Sequence, residues 1–156
     1  MKYENIWIVE CDGIGECRSG DDHHLNFETG TGAVCANDRD IDAVARSLSA
    51  EAGVITVEPC RSLARTVFFN ISADDASGFV LTDVSGDEYS DEGRTELTPE
   101  NLSDVSIAMS AIRTAEFEYT GPRGTTVIQY RHGKFATDSE RGLIVIAEEL
   151  APRFTV

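Results

Sequence analysis

Residues 11–24, CDGIGECRSGDDHH, hold the densest group of side chains that could do chemistry. The stretch contains two thiols and two imidazoles, which are ligands that zinc prefers in proteins: Cys11, Cys17, His23 and His24. These four residues are the candidate metal site. Their spacing is not that of a common zinc knuckle, and three nearby aspartates add hard oxygen atoms to a soft-ligand site. We therefore favour a polar connection between two strands, without a cofactor, and keep zinc as the alternative.

A second group of candidate residues is basic and lies closer to the carboxyl end. Arg131, His132 and Lys134 stand together in a chain whose net charge is −15. Their side chains could contact a phosphate or a carboxylate of a partner. They form the candidate partner-binding site, with a solvated turn between two strands as the simpler interpretation.

The charge balance is the strongest feature of the composition. Asp and Glu number 28 against 13 Lys and Arg, and among the basic residues only Lys2 and Lys134 are lysines. An acid excess with few lysines resembles proteins of salt-accumulating halophilic archaea or their viruses. In molar salt the Debye length is about 3 Å, so repulsion between exposed acids is screened. Because the acids are scattered, we favour a salt-adapted surface over an acidic mimic of nucleic acid.

The length of 156 residues is sufficient for one domain with its own core. No apolar run is long enough for a transmembrane helix, and the amino-terminal segment is unlike a secretory signal. These features predict a cytoplasmic protein without membrane contact. In that compartment the four cysteines are expected to be free thiols.

Hydrophobic periodicity predicts an α+β fold, with an antiparallel sheet and about three helices on one face. Short β-branched and aromatic runs predict strands at 5–10, 24–27, 32–36, 54–59, 65–72 and 78–84, and a hairpin over 115–131. Apolar stripes predict a helix over 37–53, one that begins at Thr98, and one that begins near a capping-box pattern, Thr137-x-x-Glu140, and ends at Pro152. Residues 85–97 are predicted to be an acidic loop.

Two parts of the chain have similar patterns. Leu25-x-Phe27-x-x-Gly30 matches Ile128-x-Tyr130-x-x-Gly133, and an amphipathic helix follows each. The pattern predicts a single domain, 1–156, with related strand–strand–strand–helix halves. The alternative is that hairpins followed by helices are common and the similarity has no further meaning. The predicted halves are 1–53 and 98–156, and the strand-rich segment 54–97 joins them.

Residues 125–142, TTVIQYRHGKFATDSERG, resemble part of the TATA-binding-protein repeat. In that family a strand ends in Ser-Gly-Lys, a short strand follows, and a Ser-Glu-rich turn opens the last helix. Residues 25–38 resemble the same segment of a first repeat. The resemblance implies a two-repeat curved sheet with helices on its convex side. DNA binding is not carried over, because Gln129, Arg131 and His132 stand where the family has small or β-branched side chains.

These features together favour a non-enzymatic interaction or regulatory domain of a halophilic archaeon or its virus. A transcription-related role fits such a domain, and its partner is either a protein or a nucleic acid. The alternative function is a small metal-dependent or thiol enzyme that uses the 11–24 loop. Stoichiometric metal, or thiol reactivity concentrated at Cys11 and Cys17, would indicate the enzyme.

Overall fold

A computed structural model describes residues 2–51, 56–59, 66–68, 70–71, 78–86, 90–96 and 112–154. The strands in these ranges are β1 (Tyr3–Asp12), β2 (Cys17–Gly20), β3 (His23–Asn26), β4 (Thr31–Cys35), β5 (Thr56–Pro59), β6 (Phe79–Gly86), β7 (Ser90–Glu96), β8 (Ile112–Gly121), β9 (Gly124–Arg131) and β10 (Lys134–Thr137). The helices are α1 (Ile41–Glu51), α2 (Glu140–Val145), a π-helical turn (Ile146–Leu150) and α3 (Ala151–Phe154). None of the helices in the described ranges has the length and apolar character needed to span a bilayer.

The strands form one antiparallel sheet, which confirms the predicted α+β class. Its order is β2-β3-β4-β1-β10-β9-β8-β6-β7, and β5 pairs with the carboxyl-terminal end of β1. The predicted hairpin around GPRG is present, since Gly121 of β8 pairs with Gly124 of β9. Gly124 has a φ of 98°, a conformation that favours glycine and allows this tight turn.

The helices do not share one face of the sheet, so this detail of the prediction is wrong. Side chains alternate along β1, and Ile6 and Ile8 pack in a cluster with α2 and the π-helical turn. Trp7 and Val9 pack in a second cluster with α1. The two faces are named here the α2 face and the α1 face. Apolar side chains on both faces of β1 provide two surfaces that each need a helix as cover.

Two predictions for the middle of the chain are wrong. Residues 65–72 were predicted to be a strand, but the described residues 66–68 and 70–71 are helical. The β-branched and aromatic side chains here also have helical spacing, and Val67, Phe68 and Ile71 are fully buried. The ring of Phe68 stacks on that of Tyr130 with centroids 4.5 Å apart. Tertiary burial has overridden strand propensity.

The acidic loop predicted over 85–97 is also wrong in its described part, because Ser90–Glu96 form β7. This strand pairs with β6, for example Val84 with Asp91. It lies at an edge of the described sheet, and strands at sheet edges are often rich in charged residues. The apolar stripe of the helix predicted to begin at Thr98 runs to Ile112. Its residues 98–111 lie outside the described residues, and Ile112 belongs to β8.

The last helical segment begins and continues differently from the prediction. Ser139 caps α2, since its Oγ accepts a hydrogen bond from the Gly142 N–H at 3.1 Å. Thr137 instead lies in β10 and donates to the Val127 carbonyl oxygen. Pro152 does not end the segment, because α3 continues directly from the π-helical turn and contains Pro152. The predicted apolar stripe is buried as expected: Leu143, Ile146, Ala147 and Leu150.

The two similar sequence patterns occupy different positions in the sheet. Tyr130 lies within β9, between β8 and β10, whereas Phe27 lies just beyond the end of β3. The predicted equivalence of Phe27 and Tyr130 is therefore wrong. The helices that follow the two patterns also pack on opposite faces. The connectivity gives the duplication no support, although Leu48 and Leu150 are both buried as predicted.

Candidate functional site

The structure separates the four predicted metal ligands into two pairs. Cys11 belongs to the α1-face cluster, and His23 lies opposite Val34 of the same cluster. Cys17 pairs with Asn26, and His24 pairs with Ala33 of the α2-face cluster. The sheet itself lies between the pairs. Among the described residues, no group of three or more His, Cys, Asp or Glu side chains is placed to hold a metal ion.

Cys11 lacks the properties of a reactive thiol. Its side chain is buried, and its Sγ donates to the Asn26 carbonyl oxygen at 3.6 Å. Burial raises the pKa of the Cys11 thiol to about 11, so little thiolate exists near neutral pH. Cys17 is exposed in β2. An enzyme that uses both thiols as reactive groups is therefore disfavoured by the environment of Cys11.

A different group of polar side chains meets on the α2 face, and it is named here the His24 cluster. It consists of Ser19, His24, Asn26 and Glu148. The Ser19 Oγ lies 2.5 Å from His24 Nδ1, and His24 Nε2 lies 2.5 Å from Glu148 Oε1. The other Glu148 oxygen accepts a hydrogen bond from Asn26 Nδ2 at 2.5 Å. His24 is 6% exposed, whereas Ser19 is open to solvent.

The hydrogen bonds fix the orientation of each group in the cluster. Asn26 Oδ1 accepts the backbone N–H groups of Glu28 and Thr29, so the Asn26 amino group must face Glu148. The Glu148 carboxylate accepts from His24 Nε2, which therefore carries the proton in the neutral imidazole. His24 Nδ1 is then the acceptor, and the Ser19 hydroxyl donates to it. The chain of groups can move a proton from Ser19 to His24.

Glu148 reaches the cluster from a π-helical turn, Ile146–Leu150. Such turns are rare and are found mostly as single turns, frequently at functional sites. Burial raises the pKa of Glu148, but hydrogen bonds from His24 and Asn26 oppose it, and the net pKa lies below the ordinary value. The carboxylate is therefore charged at neutral pH and attaches the last helical segment to β3.

This contact predicts a pH-dependent contribution to stability. Glu148→Gln keeps the size of the side chain and removes its charge. We expect it to lower the free energy of unfolding by about 1–3 kcal/mol at neutral pH, because the amide has a single acceptor oxygen and one of the donors, His24 Nε2 or Asn26 Nδ2, then faces an NH2 group. The folded-state pKa is lowered, so the stabilisation is complete above the ordinary value of 4.5 and is lost as the pH falls through the folded pKa. Urea unfolding between pH 7 and pH 3 measures it.

The control for this series is Asp138→Asn, which removes an exposed carboxylate just before α2. We expect this control to change stability little at any pH. If the free energy of unfolding lost in Glu148→Gln stayed constant down to pH 3, the stabilisation would not come from the charged carboxylate.

Two of the three predicted partner-binding residues, Arg131 and His132, line a groove of about 380 Å³, named here the Arg131 groove. In its lining, Gln129 Nε2 donates to Glu116 Oε2 at 2.8 Å. Arg131 and His132 are exposed, and His132 has a φ of 50° in the turn after β9. Within the described ranges, neither side chain forms a hydrogen bond or ion pair. The groove is lined by Thr114, Ala115, Glu116, Gln129, Arg131 and His132.

Lys134 has a different environment from the other two basic residues. Its Nζ lies 2.7 Å from Asp38 Oδ1 and 5.0 Å from the centroid of the Trp7 ring. Both contacts hold the ammonium group against the α1 face. Lys134 is therefore used within the fold, and Arg131 and His132 are the basic groups available to a partner.

Sequence reasoning selected His24 but missed Ser19, Asn26 and Glu148. Ser19 and Asn26 pair with His24 and Cys17 across the β2–β3 hairpin, so correct strand pairing would have found them. Glu148 is 124 positions from His24, and no local pattern indicates that contact. The chain matches none of the protein-family models, curated proteins or solved structures with which it was compared.

Proposed function

We propose that this chain is an interaction or regulatory domain that works at high salt and receives an acidic group of a partner in the Arg131 groove. The observation that carries the proposal is the Arg131 guanidinium, which is exposed beside a groove and forms no ion pair with a described residue, in a protein of net charge −15. A planar guanidinium can bind a carboxylate through two parallel hydrogen bonds.

The distribution of acids supports a halophilic archaeon or its virus as the source, and its cytoplasm as the location. Exposed carboxylates lie on β1, the 11–24 loop, α1, β5 and the start of α2. Within the described residues they are spread over these separate elements, as expected for adaptation of the whole surface. The exposed acids of the described ranges are Glu4, Glu10, Asp12, Glu16, Asp21, Asp22, Glu28, Asp38, Asp40, Asp42, Glu58, Asp138 and Glu140.

Recognition in molar salt depends on direct contact, because charges more than about 3 Å apart are screened from each other. The Arg131 fork and the His132 ring next to it provide such contact over a short range. We favour a protein partner with a carboxylate over a nucleic acid, since this chain would add 15 net negative charges to a polyanion. The resemblance to the TATA-binding family makes a transcription protein the first class of partner to test.

The experiment is capture of partners from the native host at its native salt concentration, followed by measurement of affinity for the purified partner. We expect Arg131→Glu to weaken that affinity by about tenfold or more, because charge-assisted hydrogen bonds contribute about 1.5–3 kcal/mol. Arg46→Glu is the matched control, since Arg46 is exposed on α1.

Equal affinities of the partner for the wild type and for Arg131→Glu would show that the partner does not bind in the groove. A parallel titration with duplex DNA tests the nucleic-acid alternative. Tight binding of DNA that is lost in Arg131→Glu would replace the protein partner with DNA.

A further inference from the structure

We propose that Ser19, His24 and Glu148 form a hydrolytic site that cleaves carboxylic esters through an acyl-serine intermediate. This activity is separate from the interaction in the Arg131 groove, and it differs from the metal-dependent or thiol chemistry that the sequence offers as the alternative for residues 11–24. Ser19 is the nucleophile, His24 is the general base, and Glu148 is a positioning residue.

The nucleophile and base have the contact that this chemistry requires. The Ser19 Oγ lies 2.5 Å from His24 Nδ1, within the reach needed for proton transfer. Ser19 is exposed in β2, at the edge of the described sheet, so an ester can approach its Oγ from solvent. His24 is 6% exposed, and its ring therefore stays in one orientation. A nucleophile within hydrogen-bond reach of a base is the arrangement that activates a serine for covalent catalysis.

Glu148 supplies the third group of the arrangement. Its Oε1 lies 2.5 Å from His24 Nε2, which places the neutral imidazole proton on Nε2 and leaves Nδ1 free to accept. Asn26 holds the other carboxylate oxygen at 2.5 Å, so the carboxylate cannot rotate away from the ring. The charged form of Glu148 also stabilises the imidazolium that appears during the reaction.

The register of the β2–β3 hairpin suggests where the oxyanion would be bound. Phe27 N–H donates to the Glu16 carbonyl oxygen at 3.0 Å, so Glu16 and Phe27 are a hydrogen-bonded pair. Bonded and non-bonded pairs alternate in antiparallel strands, which makes Ser19 and His24 a non-bonded pair. In such a pair the side chains are close, and the Ser19 backbone N–H points away from β3. That N–H is the donor available to an oxyanion formed at Ser19.

The reaction balances with water as the second substrate. Ser19 Oγ attacks the ester carbonyl carbon while its proton passes to His24 Nδ1. The carbon–oxygen bond to the alcohol then breaks, and the alcohol takes the proton from Nδ1. Water next attacks the acyl-serine and gives its proton to Nδ1, and the Ser19 oxygen leaves with that proton. The products are one carboxylic acid and one alcohol, and the enzyme is unchanged.

The test uses the whole chain in molar potassium chloride with a fluorophosphonate probe, which binds covalently to activated serines and releases fluoride. We expect one probe per chain by intact mass, located on Ser19 by peptide mapping. Ser19→Ala should abolish labelling, and hydrolysis of p-nitrophenyl acetate should fall about 10²-fold or more, as expected for loss of a nucleophile with its base. Ser47→Ala is the matched control, since Ser47 is an exposed serine of α1.

Glu148→Gln tests the positioning role through a readout that folding alone does not change. We expect slower labelling and a shifted pH profile of the labelling rate, while circular dichroism at neutral pH stays that of the wild type. Labelling of Ser19→Ala equal to that of the wild type, or no labelling of Ser19 in the wild type, would overturn the proposal. Two variants separate this site from the Arg131 groove. Ser19→Ala should still capture the partner, and Arg131→Glu should still hydrolyse the ester.

Discussion

The folded state is expected to gain several kcal/mol of stability between low and molar potassium chloride, with a rise in Tm of roughly 10 °C or more. The physical cause is repulsion among exposed acids, since two unit charges 10 Å apart in water repel by about 0.4 kcal/mol. A net charge of −15 contains many such pairs. Raising the salt from 0.01 M to 1 M shortens the Debye length from about 30 Å to about 3 Å and removes most of this repulsion. Thermal unfolding across this range measures the effect.

One pair of acids provides a local control for the salt effect. Glu10 of β1 lies directly opposite Glu58 of β5, and both side chains are exposed. Like charges at facing positions of antiparallel strands are destabilising. Glu58→Gln should therefore raise the Tm at low salt and leave it unchanged in molar salt. A wild-type Tm that did not respond to salt would favour the acidic-mimic interpretation of the composition.

Truncation of either helix stripe is expected to be the most damaging single change. Leu150, at the end of the π-helical turn, is 0% exposed, and Leu48 of α1 is 5% exposed. Leu150→Ala and Leu48→Ala should each lower the free energy of unfolding by about 2–5 kcal/mol, because each leaves a cavity in a packed cluster. Urea unfolding in molar potassium chloride measures both variants under conditions where charge repulsion is small.

The control for the truncations is Ile14→Ala, because Ile14 is 81% exposed in the turn between β1 and β2. We expect it to change stability by no more than about 0.5 kcal/mol. Since Leu48 and Leu150 lie in separate clusters on opposite faces, the double variant should show nearly additive losses. If either leucine variant were as stable as Ile14→Ala, its helix would not be packed on the sheet as described.

Helices and strands were predicted correctly where the sequence pattern suits only one kind of element. The alternation in β1 and the stripe of Ile41, Ala45 and Leu48 in α1 predicted their elements correctly. Errors occurred where one sequence suits two structures. Val67, Phe68 and Ile71 have the residue types of a strand and the spacing of a helix, and contacts distant in sequence chose the helix. The sequence of Ser90–Glu96 is by itself typical of a loop, and the segment forms a strand because it pairs with β6.

The sequence alone determined the acidic surface, the α+β class and the apolar stripes of α1 and of the last helical segment, since these depend on composition and local periodicity. Only the tertiary structure decided how the candidate residues combine. Cys11 and His24 are neighbours in a compact motif, yet strand alternation places them on opposite faces. His24 instead meets Glu148 because the last helical segment packs across β3 on the α2 face, which joins residues 124 positions apart. Such a contact depends on which faces are buried together, and no local spacing encodes that.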